Sequence, residues 1–317
     1  MREALIIEVD GLRLHGTRHI GPVAGERGIL FFNSGVQPRS GRGDLNVHLA
    51  DELANQGWPC FRFDLPGLGD SEGELPGQYL ELYRHIQQGG HASVAEALAQ
   101  ALCESNGLSE LALFGVCGGA ITAVFAAACS ESLATSGLIL LDLPFFLSRG
   151  VAAPGTKGPA KSFRRRAVEI ARESKARAHD WVIESRWEPY VSALYRRVMQ
   201  WRGSGASGGL PADANLKLLE ALDSVLARGT PVLLIAAQPA KGSAPGFDYA
   251  GYVQQPRAGD LEEVEIQGTT HSFVENEGPS AVLRAITKWL GRLDGKSSTN
   301  GEFGATPEPG LVAQAES

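Results

Sequence analysis

Leu111-Ala-Leu-Phe-Gly115-Val-Cys117-Gly-Gly119-Ala120 carries more information than any other ten residues of this chain. An apolar, strand-like run ends in Gly-x-Cys-x-Gly, and a small-residue, helix-compatible run from Ala120 to Cys129 follows at once. The pattern is a nucleophile elbow with cysteine where serine usually stands. Its spacing has a steric reason. The residue between the glycines occupies a tight, strained turn, and bulk at Gly115 or Gly119 would collide with the neighbouring strand and helix. The helix behind the turn points its N-terminal N–H groups at developing negative charge. The same dipole favours a thiolate, so Cys117 is expected to ionise more readily than a free cysteine. The competing reading is a buried structural cysteine in a strand-to-helix turn.

The sequence on either side alternates strand-like and helix-like segments. Glu3 to Val9 and Leu12 to His19 read as a hairpin turning at Asp10-Gly11. Gly28–Asn33, Pro59–Asp64, Glu110–Gly115, Gly137–Asp142, Pro231–Ala237 and Leu261–Gln267 read as further strands. Between them, Leu45–Gln56, His91–Ser105 and Ser280–Leu293 read as helices. Apolar strands separated by helices predict a mostly parallel central sheet covered on both faces. The alternation lapses from about Pro144 to Leu226, a stretch with helical character and three of the five tryptophans. The expected organisation is therefore a core of residues 1–143 and 228–293, a helical cap inserted at 144–227, and a disordered Gly/Ser/Pro/Glu-rich tail at 294–317.

Composition narrows the function. A chain of 317 residues with 43% apolar and 21% charged residues suits a soluble protein with a substantial core. A formal net charge of -7 argues against nucleic-acid binding as the main role. Cysteines at 60, 103, 117 and 129 form neither a disulfide framework nor a metal-ligand spacing, and point to a reducing, cytoplasmic setting. There is no signal-peptide-like segment, and no run approaches the roughly 18 apolar residues of a membrane span. Gly150-x4-Gly-Thr-Lys157 lacks the order of a phosphate-binding loop and follows no strand, so no cofactor and no metal are expected.

A nucleophile needs a base, and His271 in Gly268-Thr-Thr-His-Ser-Phe is the candidate. It directly follows the last strand, at the sheet edge where open parallel sheets bind ligands. A third group should orient its ring. No carboxylate follows the Pro231–Ala237 strand until Asp248, whereas Asp142 ends the strand after the elbow. Asp142 is preferred and Asp248 remains the alternative. Oxyanion donors are expected from the backbone N–H groups of Gly118 and of Val36, in the Asn33-Ser-Gly-Val-Gln-Pro loop. Asp64-Leu-Pro-Gly-Leu-Gly-Asp-Ser71-Glu-Gly should border the cleft, with Ser71 fixing that loop rather than reacting.

In this order, Asn33-Ser-Gly-Val-Gln, Asp64-Leu-Pro-Gly-Leu-Gly-Asp-Ser, Gly115-Val-Cys-Gly-Gly and Gly268-Thr-Thr-His resemble the α/β-hydrolase superfamily. Phe61-Arg-Phe-Asp…Gly-Asp-Ser-Glu-Gly with a cysteine elbow is also similar to exosortase-associated hydrolases. Asp142 followed by a proline resembles polyketide-type thioesterases. The resemblance implies the α/β-hydrolase fold, with Cys117 as nucleophile, His271 as base, and Val36 and Gly118 as oxyanion hole.

The expected reaction is acyl transfer through an acyl-enzyme. Cysteine in place of serine favours a thioesterase or acyltransferase acting on a carrier-bound acyl thioester over hydrolysis of small carboxylic esters. The basic run from Lys161 to Arg177 would suit an acidic acyl carrier protein or a phosphopantetheine phosphate, or is only a solvated helix face. A non-catalytic ligand- or partner-binding protein is the alternative from another class.

Overall fold

A computed structural model describes residues 1–23, 25–75, 77, 79–129, 133–147, 214–238 and 261–300. In chain order its elements are β1 (Arg2–Val9), β2 (Leu12–His19), β3 (Arg27–Phe31), α1 (Leu45–Asn55), β4 (Cys60–Phe63), α2 (Tyr79–Gln87) and α3 (Ala92–Asn106). They are followed by β5 (Glu110–Val116), α4 (Gly118–Cys129), β6 (Thr135–Leu141), α5 (Leu216–Ala227), β7 (Val232–Gln238), β8 (Leu261–Gln267) and α6 (Gly278–Asn300).

The eight strands form one sheet in the order β1-β2-β4-β3-β5-β6-β7-β8. β2 runs antiparallel to both β1 and β4, and every later pairing is parallel. Strand alternation sorts the core into two layers. Leu30, Leu113, Leu138, Leu140 and Leu234 face α3, α4 and α5. Ile29, Phe31, Phe114, Ile139, Leu141, Leu233 and Ile235 face α1 and α6. Both faces are thus apolar and covered, as the strand composition requires. Among the described residues, no helix is long and apolar enough to cross a membrane.

Three features differ from expectation. The end of the segment assigned to the cap is α5, whose Leu218, Leu222, Val225 and Leu226 are buried in the same layer as α4. Its residues repeat at helical spacing on one face and Asn215 accepts a hydrogen bond from Leu218 N–H, so it folds as a capped core helix. α6 runs on to Asn300, beyond the expected start of the tail at residue 294. The short helix α2 has no counterpart in the sequence reading, and it brings Leu82 and Ile86 onto the α4 side of the sheet. Residues 148–213 of the expected cap and residues 301–317 lie outside the described residues.

Candidate active site

The elbow is built as its spacing demands. Cys117 has φ +53°, a left-handed conformation that costs a side-chain-bearing residue about 1–3 kcal/mol. Its N–H donates to Leu141 O at 2.9 Å, which pins the turn to the neighbouring strand. A Cβ on Gly115 would lie 2.0 Å from Gly119 C, and one on Gly119 would lie 2.7 Å from Asn33 O. These close approaches are to backbone, which has no room to yield. The helix behind the turn can therefore pack directly against the strand ends, and the sulfur stands above them with Cys117 only 9% exposed.

His271 and Asp142 arrive from two other strand ends. Asp142, at the tip of β6, also has positive φ (+43°). Its N–H donates to Ile235 O at 2.8 Å, and its Oδ1 accepts from Ala237 N–H at 2.8 Å. Both contacts fix the carboxylate against β7, leaving Oδ2 to meet His271 Nδ1 at 2.9 Å. The His271 turn has its own anchors. Phe273 is fully buried beneath it, and Phe273 N–H donates to Thr270 O. The Glu275 carboxylate gathers the Thr269, Thr270 and Ser272 hydroxyls and Thr270 N–H, at 2.7 to 3.2 Å. Those bonds hold Glu275 below its usual carboxylate range, against the opposing effect of burial.

The ionisation behaviour of the thiols separates Cys117 from the rest. Burial pushes Cys60 well up, and burial with nearby carboxylates raises Cys103 and Cys129. Burial acts on Cys117 in the same sense. It is outweighed by the His271 charge and hydrogen bond, the Tyr83 hydroxyl and the Gly118 N–H, and the thiol falls below its ordinary value. Burial likewise disfavours the His271 imidazolium, but the Cys117 thiolate and the Asp142 carboxylate raise it well above 6.5. Each of the two groups thus favours the charged form of the other. A carboxylate behind the ring fixes its tautomer and supports its charge.

The Gly118 N–H reaches the Cys117 sulfur, and the loop that carries Val36 lies against the same turn. A Cβ on Gly118 would lie 3.0 Å from Gly35 N, so the N-terminus of α4 touches the Asn33–Gln37 loop. Val36, at the tip of that loop, is 45% exposed. A buried polar network holds the loop in place. Asn33 Nδ2 donates to Gln37 O at 3.0 Å and to Asp64 Oδ1 at 2.8 Å, while its Oδ1 accepts from Leu65 N–H at 2.8 Å. Asp64, with no exposed surface, also accepts from Arg39 N–H at 2.7 Å and from the Arg39 guanidinium. Ser71 ties the following loop back, its hydroxyl donating to Asp64 O at 2.6 Å and accepting from His15 N–H at 2.8 Å.

Cys117, His271, Asp142, Gly118 and the Val36 loop are thus brought to one place at the carboxyl edge of the sheet. Asp248 and the basic run from Lys161 to Arg177 lie outside the described residues. The sequence reading missed Tyr83, whose hydroxyl stands 3.5 Å from Cys117 Sγ, and the Arg39–Asp64–Asn33 network. Tyr83 had no signal of its own, because α2 went unread. The network had one: an aspartate ending the apolar strand β4 needs a buried partner.

Comparison with known proteins agrees with this topology. The family model described as the alpha/beta hydrolase fold matches residues 32–148. No curated protein matches the chain by sequence. Among solved structures, the proline iminopeptidase of Mycobacterium smegmatis is similar, with a TM-score of 0.58 and 15% identity over 93% of this chain and all of that one. DcsB, solved in complex with its substrate analogue, gives a TM-score of 0.56 at 15% identity over 92% of this chain and 99% of that one. Est1E from Butyrivibrio proteoclasticus with ferulic acid bound gives 0.54 at 16% identity, over 92% and 100%. With the family match, the strand order and the elbow at the end of β5 in agreement, the chain is one that carries the α/β-hydrolase fold.

Proposed function

We propose that this protein is a hydrolase-type acyl-transfer enzyme whose nucleophile is Cys117, with His271 as acid and base and Asp142 as the orienting carboxylate. One observation carries the reading. Cys117 stands on the strained elbow at the end of β5, beside the imidazole whose Nδ1 meets Asp142 Oδ2 at 2.9 Å, and those neighbours draw its thiol below the ordinary value. In the first half-reaction the sulfur adds to an acyl carbonyl, whose π electrons move onto oxygen between the N–H groups of Gly118 and Val36. Collapse expels the leaving group, which takes the proton from His271. In the second half-reaction water or another acceptor gives its proton to His271 and attacks the acyl-enzyme, and the C–S bond electrons return to sulfur.

The acyl-enzyme is itself a thioester. Forming it from a thioester substrate exchanges like for like, whereas forming it from an oxygen ester is uphill. This supports a thioesterase or acyltransferase acting on carrier-bound acyl thioesters ahead of a carboxylic ester hydrolase. An acyl carrier protein is one partner that would present such a substrate, and a small-molecule acyl thioester is the other form it can take. Four free thiols support a reducing, cytoplasmic setting.

Turnover of matched acyl thioesters and oxygen esters tests the proposal, using wild type, Cys117→Ser and Cys117→Ala. The expected result is thioester turnover by wild type at least about a hundredfold above Cys117→Ala. Equal rates would remove Cys117 from the chemistry. A preference for oxygen esters would transfer the assignment to ester hydrolysis, and inactivity on both classes would favour a binding protein.

A further inference from the structure

We infer that Tyr83 is a catalytic residue of this site, acting as a hydrogen-bond donor to the Cys117 sulfur whenever that sulfur carries charge; the inference rests on Cys117 being the nucleophile. The Tyr83 oxygen lies 3.5 Å from Sγ, within hydrogen-bonding range of a large, polarisable sulfur. Once the thiol has ionised it has no proton to give, so the phenol must be the donor. The hydroxyl is one of the groups that draw the thiol below its ordinary value.

The position of Tyr83 is built, not incidental. It lies on α2, where Leu82 and Ile86 are 3% and 4% exposed. Ile86 Cγ2 would stand 3.5 Å from a Cβ on Gly118, so the helix rests on the elbow itself. The far end of α2 is tied down as well. Gln87 Nε2 donates to Phe146 O at 3.2 Å, and Gln87 O accepts from Asn215 Nδ2 at 2.8 Å. Tyr83 is thereby held against the sulfur by packing on one side and by two hydrogen bonds on the other.

Such a donor has work at two moments. Before attack it shares the thiolate charge with His271 and the Gly118 N–H. During breakdown of the acyl-enzyme the C–S bond breaks and its electron pair returns to sulfur. The same O–H then stabilises the departing thiolate, while His271 keeps the proton taken from the acceptor. In the acylated state between, the sulfur is neutral and the bond is weak. Tyr83 therefore raises the fraction of thiolate before attack, and in deacylation it stabilises the transition state, where charge returns to sulfur, more than the neutral acyl-enzyme, which raises the rate of that step.

The test is the pH dependence of Cys117 alkylation by iodoacetamide in wild type, Tyr83→Phe and a variant carrying 3-fluorotyrosine at position 83. Among the described residues, the titratable groups set against the sulfur are His271, with Asp142 behind it, and Tyr83 itself. Tyr83→Phe keeps the ring and removes only the donor. Its profile should move to higher pH, with alkylation near neutrality about tenfold slower. The fluorinated phenol, a stronger donor of nearly the same shape, should move the profile the other way. Deacylation of a trapped acyl-enzyme should slow by a similar factor in Tyr83→Phe. Unchanged profiles in both variants, with wild-type Cys117 still ionising early, would overturn the role of Tyr83 alone. A wild-type Cys117 that reacts as an ordinary thiol would instead overturn the nucleophile assignment.

Discussion

Replacing Asp64 by asparagine should damage both stability and rate, although Asp64 touches none of the reacting groups. The carboxylate has no exposed surface and accepts from Asn33 Nδ2, Arg39 N–H, the Arg39 guanidinium and, at 3.3 Å, Asp70 N–H. Asparagine keeps the shape but turns one acceptor into a donor. In either orientation of the amide, an N–H group faces a donor that asparagine cannot satisfy. The guanidinium also loses its buried counter-charge and keeps only Asp70, which is 65% exposed and contributes little. Arg39 is itself 24% exposed, so the loss is less than for a fully buried pair. The cost should be about 3 kcal/mol, a fall of about 4 to 6 °C in Tm for a protein of this size.

The effect on rate follows from Asn33. Its amide bridges Asp64 to Gln37 O, so a disturbed Asp64 releases the loop that presents the Val36 N–H. Misplacing one oxyanion donor should lower kcat about tenfold to a hundredfold, less than deleting it outright. Thermal unfolding by circular dichroism and steady-state turnover of an aryl thioester measure the two effects. A variant whose Tm stays within about 2 °C and whose kcat is unchanged would refute the link between this network and the site.

Three further outcomes are expected. Gly115→Ala should lose more than about 3 kcal/mol or fail to accumulate folded, because its methyl group would meet Gly119 backbone at 2.0 Å; a normal Tm would refute the packing argument. Asp142→Asn should lower kcat/KM about tenfold to a hundredfold, less than in a serine enzyme because a thiol needs less help to ionise; an unchanged kcat/KM would dismiss the carboxylate. Asp51, bonded to Arg2 and His19, is held at about 2 against an ordinary 3.8; solvent screens its half-exposed Arg2 partner, so a stabilisation of about 1 kcal/mol is full above pH 3.8 and lost as pH falls through about 2. The Tm difference between wild type and Asp51→Asn should therefore shrink over that interval, and a constant difference would contradict the shift.

The central strands were readable because they are apolar runs and the outer ones because apolar and polar residues alternate along them, and the observed limits fall within about two residues of the expected ones. The elbow was readable because its steric demand falls on residues four apart in sequence. α2 was not readable: it is nine residues long and mostly polar, and only its contacts with the elbow make it a helix worth burying. α5 was assigned to the inserted segment although Leu218, Leu219, Leu222, Val225 and Leu226 repeat as a core helix should. The run lacked a strand immediately before it to mark it as part of the sheet layer. His271 could be located from its place after β8, but the choice of its partner needed three dimensions. Asp142 and His271 are 129 residues apart, and only the placement of β6, β7 and β8 side by side brings one to the other. Asp64 at the end of β4 signalled a buried partner, but which residues supply it, Asn33 and Arg39, likewise needed three dimensions.

The most direct test of the account is intact-mass spectrometry of the protein after brief incubation with a panel of acyl thioesters, followed by peptide mapping. The account predicts a transient mass increase of one acyl group, located on Cys117, longer-lived in His271→Ala if any is formed and absent from Cys117→Ala. An adduct on another residue, or turnover of the thioester with no adduct on Cys117 even under rapid quenching, would contradict it.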